Sequence, residues 1–207
     1  MLSEVSNPSE MFLEERGATL VGSSVFCTME GTRPLLCEVQ ALAISSQMAM
    51  PRRNAIGFDI QRVHMLIAVL DKHAKADLSH SDVFVNIVGG LKVEEPAADL
   101  AVAAALLSSN GHQEVPAKTC FFGEVGLTGE IRAVNFADKR IHEAHRLGFE
   151  KFVIPASCKK QIAELPAAIL SHVSFIKHIG QLSSFLGATV VKPKTTRPAS
   201  SVTAVEP

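Results

Sequence analysis

Apolar and polar positions alternate along this chain in a pattern that predicts strands interleaved with helices. Two apolar runs, residues 19–28 and 35–45, flank the turn-forming cluster GTRP at 31–34. We therefore expect an antiparallel strand pair near the N-terminus. Further along, Asp59 precedes apolar residues spaced as on one buried helical face, which predicts a capped helix with Val63, Leu66, Ile67 and Leu70 inside.

The remaining pattern continues this alternation. It predicts, in chain order, a loop at 48–57, a strand at 82–88, a helix at 97–109 opened by Pro96, a strand at 118–124, a short strand at 130–134, a helix at 135–147, strands at 151–154 and 173–176, and short helices after Pro155 and at 180–186. The expected fold class is α/β, with a mixed sheet and packed helices.

The length of 207 residues suits one domain. Residues 1–17 form an N-terminal segment with a predicted short helix that ends at Gly17. Residues 18–187 carry the α/β pattern and form the expected domain. Residues 188–207 lack apolar periodicity, so we expect a disordered tail there.

Composition limits the possible functions. The 20 basic and 21 acidic side chains nearly balance, so there is no global electrostatic drive towards nucleic acid. Trp and Tyr are absent, and stacking on single-stranded nucleic acid would depend on Phe. The four Cys residues are dispersed, which is typical of reduced core thiols. No signal peptide and no apolar run of about 18 residues occurs, so we expect a cytoplasmic protein with no membrane partner.

Four separated stretches point to one family: EVSNPSEMFLEER (4–16), EGTRPLLCEVQAL (30–42), VNIVGGLKVEEPAADLAVAAAL (85–106) and FGEVGLTGEIRAV (122–134). Together they resemble the C-terminal portion of the RadA (Sms) family of bacterial DNA repair proteins. The resemblance implies a Lon-protease-like domain, which in the family follows a zinc finger and a RecA-like ATPase core. The chain has no Gly-x-x-x-x-Gly-Lys-Ser/Thr loop. We therefore expect the ATP, Mg²⁺ and zinc that the family uses to bind to portions that are absent from this chain. We expect no cofactor in this chain itself. We expect it to be a fragment or a truncated reading frame.

The resemblance also implies that proteolysis is lost. In Lon-type proteases a Pro-Ser-Ala-Gly run opens a helix and supplies the nucleophile, whereas this chain reads Pro96-Ala97-Ala98-Asp99. Laying the chain along Lon without a gap puts Ala97 at the serine and Asp138 at the lysine base. Neither residue can replace its counterpart, so we expect no catalytic residue. Glu94, Glu95 and Asp99 are expected to stabilise the N-terminus of the helix.

Other chemistries remain as alternatives. Ser108 or Ser109 could serve as an unrecognised peptidase nucleophile. His142 and His145 could share a helical face for a metal, but no third ligand is indicated, and a solvated face is the better interpretation. A Lon-like module of a ComM-type, magnesium-chelatase-like ATPase is a further possibility; the stretches at 4–16 and 30–42 favour RadA instead.

Basic residues in predicted loops are the candidate DNA-binding set: Arg33, Arg52, Arg53, Lys92, Arg132, Lys139 and Arg140. The alternative is a scatter of solvated charges. RadA-like proteins are associated with ATP-driven branch migration of recombination intermediates. The resemblance therefore implies a scaffold for a ring-shaped homo-oligomer, a surface for duplex or branched DNA, and a recombinase as a further partner.

Overall fold

The computed structural model describes residues 21–187. The predicted N-terminal helix and the predicted tail lie outside these residues. The strands are β1 Ser23–Glu30, β2 Arg33–Ser45, β3 Arg53–Ile56, β4 Ser81–Ile87, β5 Thr119–Phe121, β6 Glu124–Val125, β7 Ile131–Arg132, β8 Lys151–Pro155 and β9 Val173–Ile176. The α-helices are α1 Ile60–Ala74, α2 Asp99–Gly111, α3 Ala137–Arg146 and α4 Ala167–Leu170. Short 3-10 helices are Pro96–Ala98, Ala156–Lys160 and Ile179–Phe185.

Seven strands form one mixed sheet in the order β3-β4-β2-β1-β5-β8-β9, and β6 pairs with β7 in a small second sheet. Strand β2 runs antiparallel to both β1 and β4, while the pairs β3–β4, β1–β5, β5–β8 and β8–β9 are parallel. The expectation of a mixed α/β fold is confirmed, and so is the antiparallel pair near the start. Strands β1, β3, β4, β5, β8 and β9 therefore all end at one edge of the sheet, which we call the carboxyl edge.

A hydrophobic core lies on each face of the sheet. Side chains alternate along a strand, so Phe26 points into one core while Val25 and Cys27 point into the other. Helices α1 and α2 cover the first face, and α3 covers the second. All four Cys residues are buried and none of them forms a disulfide bond, as expected for core thiols.

The second face of the sheet is only partly covered. Beyond the reach of α3, strand β2 presents Leu42 and Ile44 to solvent and strand β3 presents Ile56, with 53–60% of each residue exposed. Leu42 lies directly opposite Phe84 across the β2–β4 ladder. One end of the sheet therefore carries an apolar surface with no covering helix among the residues described.

Three sequence predictions were wrong in detail. Residues 48–57 are not all loop, because Arg53–Ile56 pairs with β4 as an edge strand, half of whose side chains face solvent. The turn after β1 is only Gly31-Thr32, since Arg33 and Pro34 already pair with β1. The strand predicted at 118–124 divides into β5 and β6, because the chain bends at Gly123 to exchange hydrogen bonds with Ala97 O and Leu100 N.

Candidate functional site

Ala97, the position that the Lon resemblance assigns to the nucleophile, lies just before α2. Pro96–Ala98 forms a 3-10 turn that leads directly into the helix. Ala97 is 2% exposed and packs in the second core, with its methyl group at the wall of a cavity. A methyl group cannot attack a carbonyl, so the residue at this position contributes packing rather than chemistry.

The cavity beside Ala97 has a volume of about 350 Å³. Its walls come from the end of β1, the Pro96 turn and the segment that leads into α3: Met29, Glu95, Pro96, Ala97, Glu124, Ala133, Val134, Asn135, Phe136 and Arg140. Asp138 is not among them and instead lines a separate cavity with Pro34 and His142. The cation that shares the cavity with Ala97 is Arg140.

Arg140 is held by a dense set of acceptors. Its two terminal nitrogens bind the Glu95 carboxylate at 2.6 and 3.0 Å, and its Nε donates to Asn135 O at 3.0 Å. A further hydrogen bond goes to Cys27 O, and only 2% of the side chain is exposed. An arginine stays protonated at any physiological pH, so Arg140 cannot act as a general base.

The Glu95–Arg140 pair also completes the end of β1. Glu95 accepts from Met29 N at 2.9 Å while Arg140 donates to Cys27 O, so the pair satisfies successive backbone groups on the edge of β1 that faces away from β2. Burial alone would raise the pKa of Glu95, but the hydrogen bonds and charge of Arg140 outweigh it, and the pKa lies below its ordinary value. The pair takes the place of a neighbouring strand.

A second ion pair, Arg62–Asp99, fixes the chain on the other side of Ala97. The Asp99 carboxylate is fully buried and accepts from Arg62 Nε at 2.8 Å, from a terminal nitrogen of Arg62, and from Val125 N at 3.1 Å. It therefore joins α1, α2 and β6. The hydrogen bond from Arg62 to Asp99 raises the pKa of the Arg62 guanidinium.

These contacts correct the predicted helix-capping role of the acidic residues. No side chain caps the 3-10 turn or α2. Glu95 and Asp99 instead bind the two arginines, and exposed Glu94 pairs with Lys92 at 2.6 Å. The acidic residues therefore fix neighbouring elements to the turn, and we call residues Glu95–Asp99 together with Arg62 and Arg140 the pinned junction.

The predicted DNA-binding cations do not form one patch. Lys92 and Arg132 form ion pairs with Glu94 and Glu130 near the carboxyl edge, where Arg33 and Lys139 are also exposed. Arg52 and Arg53 lie at the opposite edge of the sheet, where Arg52 binds Asp82 at 2.7 Å and Arg53 donates to Ser79 O at 2.9 Å. For Arg140 the expectation of an accessible cation was wrong, since it is buried against Glu95.

Comparison with known proteins adds the family. A family model described as ChlI, subunit ChlI of Mg-chelatase, matches residues 42–158, which is more than half of the chain. The chain belongs to this ChlI family. This family description agrees with the alternative of a magnesium-chelatase-like module, but only at the level of the family.

This ChlI-family chain is also homologous to curated proteins named DNA repair protein RadA. The protein of Aquifex aeolicus is 49% identical over 172 residues, covering 83% of this chain and 38% of the relative. Those of Rickettsia felis and Bacillus subtilis are 45% and 47% identical, over 87% and 75% of this chain and 40% and 34% of the relative. The chain thus spans about two fifths or less of the relatives that it matches.

The alternative chemistries can be placed within the same fold. Ser108 and Ser109 are both buried, and their hydroxyls serve the backbone: Ser108 Oγ accepts from Gly22 N at 2.8 Å and Ser109 Oγ from Ala43 N at 2.9 Å. His142 and His145 are exposed on α3, and no metal-binding group of three or more ligating side chains occurs within residues 21–187. In the same range no helix is long and apolar enough to cross a bilayer.

Sequence reasoning missed four cations: Arg62, Lys159, Lys160 and Lys177. Arg62 follows the Asp59 cap by three residues, and nothing in the sequence links it to Asp99, which is 37 positions away. The three lysines follow predicted strands at short distances, and this spacing was the available signal. They become neighbours only because β8 and β9 are parallel and adjacent.

Proposed function

We propose that this chain is the non-proteolytic, Lon-like module of a RadA-type DNA repair protein. The homology to RadA proteins and the resemblance of the Pro96–Asp99 turn to a Lon nucleophile loop support the assignment. The observation that supports the loss of proteolysis is the cavity beside Ala97, whose lining, within residues 21–187, contains no serine, threonine, cysteine or lysine. The serine nucleophile and lysine base of a Lon-type protease are therefore both missing there.

Peptide hydrolysis tests this directly. The chain is incubated with fluorogenic peptides, in parallel with an Ala97→Ser/Arg140→Lys variant. We expect background rates for both, because a lysine beside Glu95 stays protonated and cannot activate the serine. Hydrolysis by the wild type that a serine-reactive probe blocks would support the alternative of a peptidase with a non-standard nucleophile.

We further propose that the module is an assembly scaffold, and that the apolar end of its sheet binds a second copy of this chain. Leu42, Ile44, Ile56 and Phe84 form a face on the order of 400 Å², which is within the range of about 300–600 Å² for the largest apolar patch of a typical monomer, a patch that is often functional. A small specific interface buries about 500 Å² on each partner, so this face could supply most of one side. A ring requires such a face to bind a different surface of the next copy.

Sedimentation tests the scaffold proposal. A Leu42→Asp/Ile44→Asp variant is compared with the wild type over a concentration series, and Leu127→Asp is the control because Leu127 is an exposed apolar residue on the separate β6–β7 turn. We expect the double variant to remain monomeric where the wild type and the control associate. A wild type that stays monomeric at every concentration, or equal losses in both variants, would contradict the proposal.

The activity of a whole RadA-type protein is a wider proposal. ATP-dependent branch migration of recombination intermediates, with ATP, Mg²⁺ and zinc bound outside this chain, a recombinase partner and a cytoplasmic location are what the resemblance implies. We propose that this chain contributes a surface that binds duplex DNA. The simplest test is to titrate the chain with duplex DNA at low salt, where we expect binding.

A further inference from the structure

Three exposed lysines meet where β8 and β9 end. Lys159 and Lys160 belong to the 3-10 helix Ala156–Lys160 that follows β8 directly, and Lys177 follows the last residue of β9. Pro155 at the end of β8 lies opposite Ile176 at the end of β9. The two strand ends are thus neighbours, and we call Lys159, Lys160 and Lys177 the lysine corner.

The corner also contains an aromatic side chain. Lys159 Nζ lies 6.0 Å from the centre of the Phe175 ring. Phe175 is 37% exposed and lies two residues before Lys177, so it provides an apolar surface beside the lysines.

The lysines of the corner are available for a ligand. Among residues 21–187, no carboxylate forms an ion pair with any of the three, whereas Arg132, next to the corner, binds Glu130 at 2.6 Å. Arg132 is brought there by the hydrogen bond from Ile131 N to Lys177 O, 2.9 Å long. Hydrogen bonds from Thr128, from the backbone and from Arg132 hold the pKa of Glu130 at about 2, so that carboxylate is already engaged.

We propose that the lysine corner binds the phosphate backbone of duplex DNA. This inference rests on the proposed duplex-DNA surface and names its location. A phosphate can bind these lysines without breaking an ion pair, unlike at Arg52, Lys92 or Arg132. Lysines on a 3-10 helix and a strand end reach phosphates rather than base edges, so the binding is independent of sequence and strongly dependent on salt.

The test is a titration of the full 207-residue chain with a duplex of about 20 base pairs, at several salt concentrations between about 50 and 200 mM. The variant is Lys159→Glu/Lys160→Glu. The control is Lys72→Glu/Lys151→Glu, which changes the net charge equally at exposed sites on α1 and at the opposite end of β8. Thermal unfolding of each protein shows that the fold is intact.

We expect the corner variant to bind at least about tenfold more weakly, with a salt slope shallower by about 2, since each phosphate contact contributes about 0.9. The control should stay within about twofold, and Lys177→Glu should flatten the slope by about 1. Equal losses of duplex affinity in the corner variant and the control, or no loss in the corner variant, would overturn the proposal that the lysine corner binds DNA. Displacement of the duplex by polyglutamate at equal charge concentration would overturn the assignment to DNA.

Two further outcomes separate this inference from the proposed function. If the wild type does not bind the duplex even at the lowest salt, the DNA-binding part of the proposed function fails together with the corner. If the wild type binds, and Arg52→Ala/Arg53→Ala abolishes binding while the corner variant retains it, then the DNA surface is real and lies at the opposite edge of the sheet.

Discussion

The pinned junction and the lysine corner use the same charge for different purposes. At the junction, Arg62 and Arg140 bind Asp99 and Glu95 through two hydrogen bonds each, and Arg140 is almost completely buried. At the corner the lysines are exposed and lack ion-pair partners among the residues described. The first set joins five elements of the fold around Ala97, namely α1, α2, α3, β1 and β6, while the second can exchange water for a ligand.

This difference shows how burial decides what a charged side chain can do. The buried ion pair Glu95–Arg140 fills the space beside the end of β1. Taking charges into the interior is costly, and such a pair is stable only when its remaining hydrogen bonds are satisfied. Arg140 meets this condition through Cys27 O and Asn135 O.

Removal of the arginine at the junction should have the largest effect. Arg140→Ala leaves Glu95, of which only 25% of the side chain is exposed, without its cation, and leaves Cys27 O without its donor. We expect a loss of about 3 to 5 kcal/mol in the free energy of unfolding. Chemical denaturation measures it. The matched control is Arg146→Ala on the same helix, where the arginine side chain that pairs with Glu143 is 54% exposed and the loss should be about 1 kcal/mol or less.

Acid should weaken the junction through Glu95. Its pKa is lowered in the folded state, so the ionised form contributes stability that is fully present above the ordinary value of 4.5 and is lost as the pH falls through the lower folded value. The difference in unfolding free energy between the wild type and Glu95→Gln should therefore narrow below about pH 4.5. Urea denaturation between neutral and acidic pH measures it. A difference that stays constant into the acid range would mean that folding does not shift the pKa of Glu95, which would contradict this prediction.

A hydroxyl in place of the Ala97 methyl group should have a small effect. Ala97→Ser adds one polar atom to the wall of a cavity that already contains Glu95 and Arg140. We expect a change of about 1 kcal/mol or less in stability, and no gain in peptide hydrolysis. A measurable peptidase rate in this single variant would show that the junction retains catalytic geometry.

Disruption of the Arg52–Asp82 ion pair, at the opposite edge of the sheet, should have the smallest effect. The effect should be confined to the pKa of Asp82. The Arg52 backbone N–H and side chain lower the pKa of Asp82 to about 2. In Arg52→Ala the backbone bond remains, so the pKa should rise only part of the way towards 3.8, as followed by NMR of the Asp82 carboxyl carbon. Lys159→Glu should leave this pKa unchanged.

Sequence reasoning predicted the regular parts of the fold well. Helix α1 has the expected Asp59 cap, and Val63, Leu66, Ile67 and Leu70 are buried. Strand β9 has the predicted bounds of Val173–Ile176. Both follow from local periodicity. Strand β3 was missed because it is short and only half of its side chains pack inward.

The candidate site was less predictable because its contacts are distant in sequence. Arg140 and Glu95 are 45 residues apart, and nothing local indicates that the arginine is buried. The lysine corner depends on the sheet order β5-β8-β9, which periodicity does not determine. The sequence shows which residues are charged. Which of them are buried, and which acidic residue each cation binds, depends on the fold.

The most direct test of the central claim, that the junction maintains the fold while the corner binds DNA, is one paired measurement on two variants. Unfolding free energy and duplex affinity at low salt are measured for Arg62→Ala and for Lys159→Glu/Lys160→Glu. The account predicts that Arg62→Ala lowers stability while its folded fraction binds DNA normally, and that the lysine variant keeps its stability but binds at least about tenfold more weakly. Weakened binding by folded Arg62→Ala together with unchanged binding by the lysine variant would contradict it.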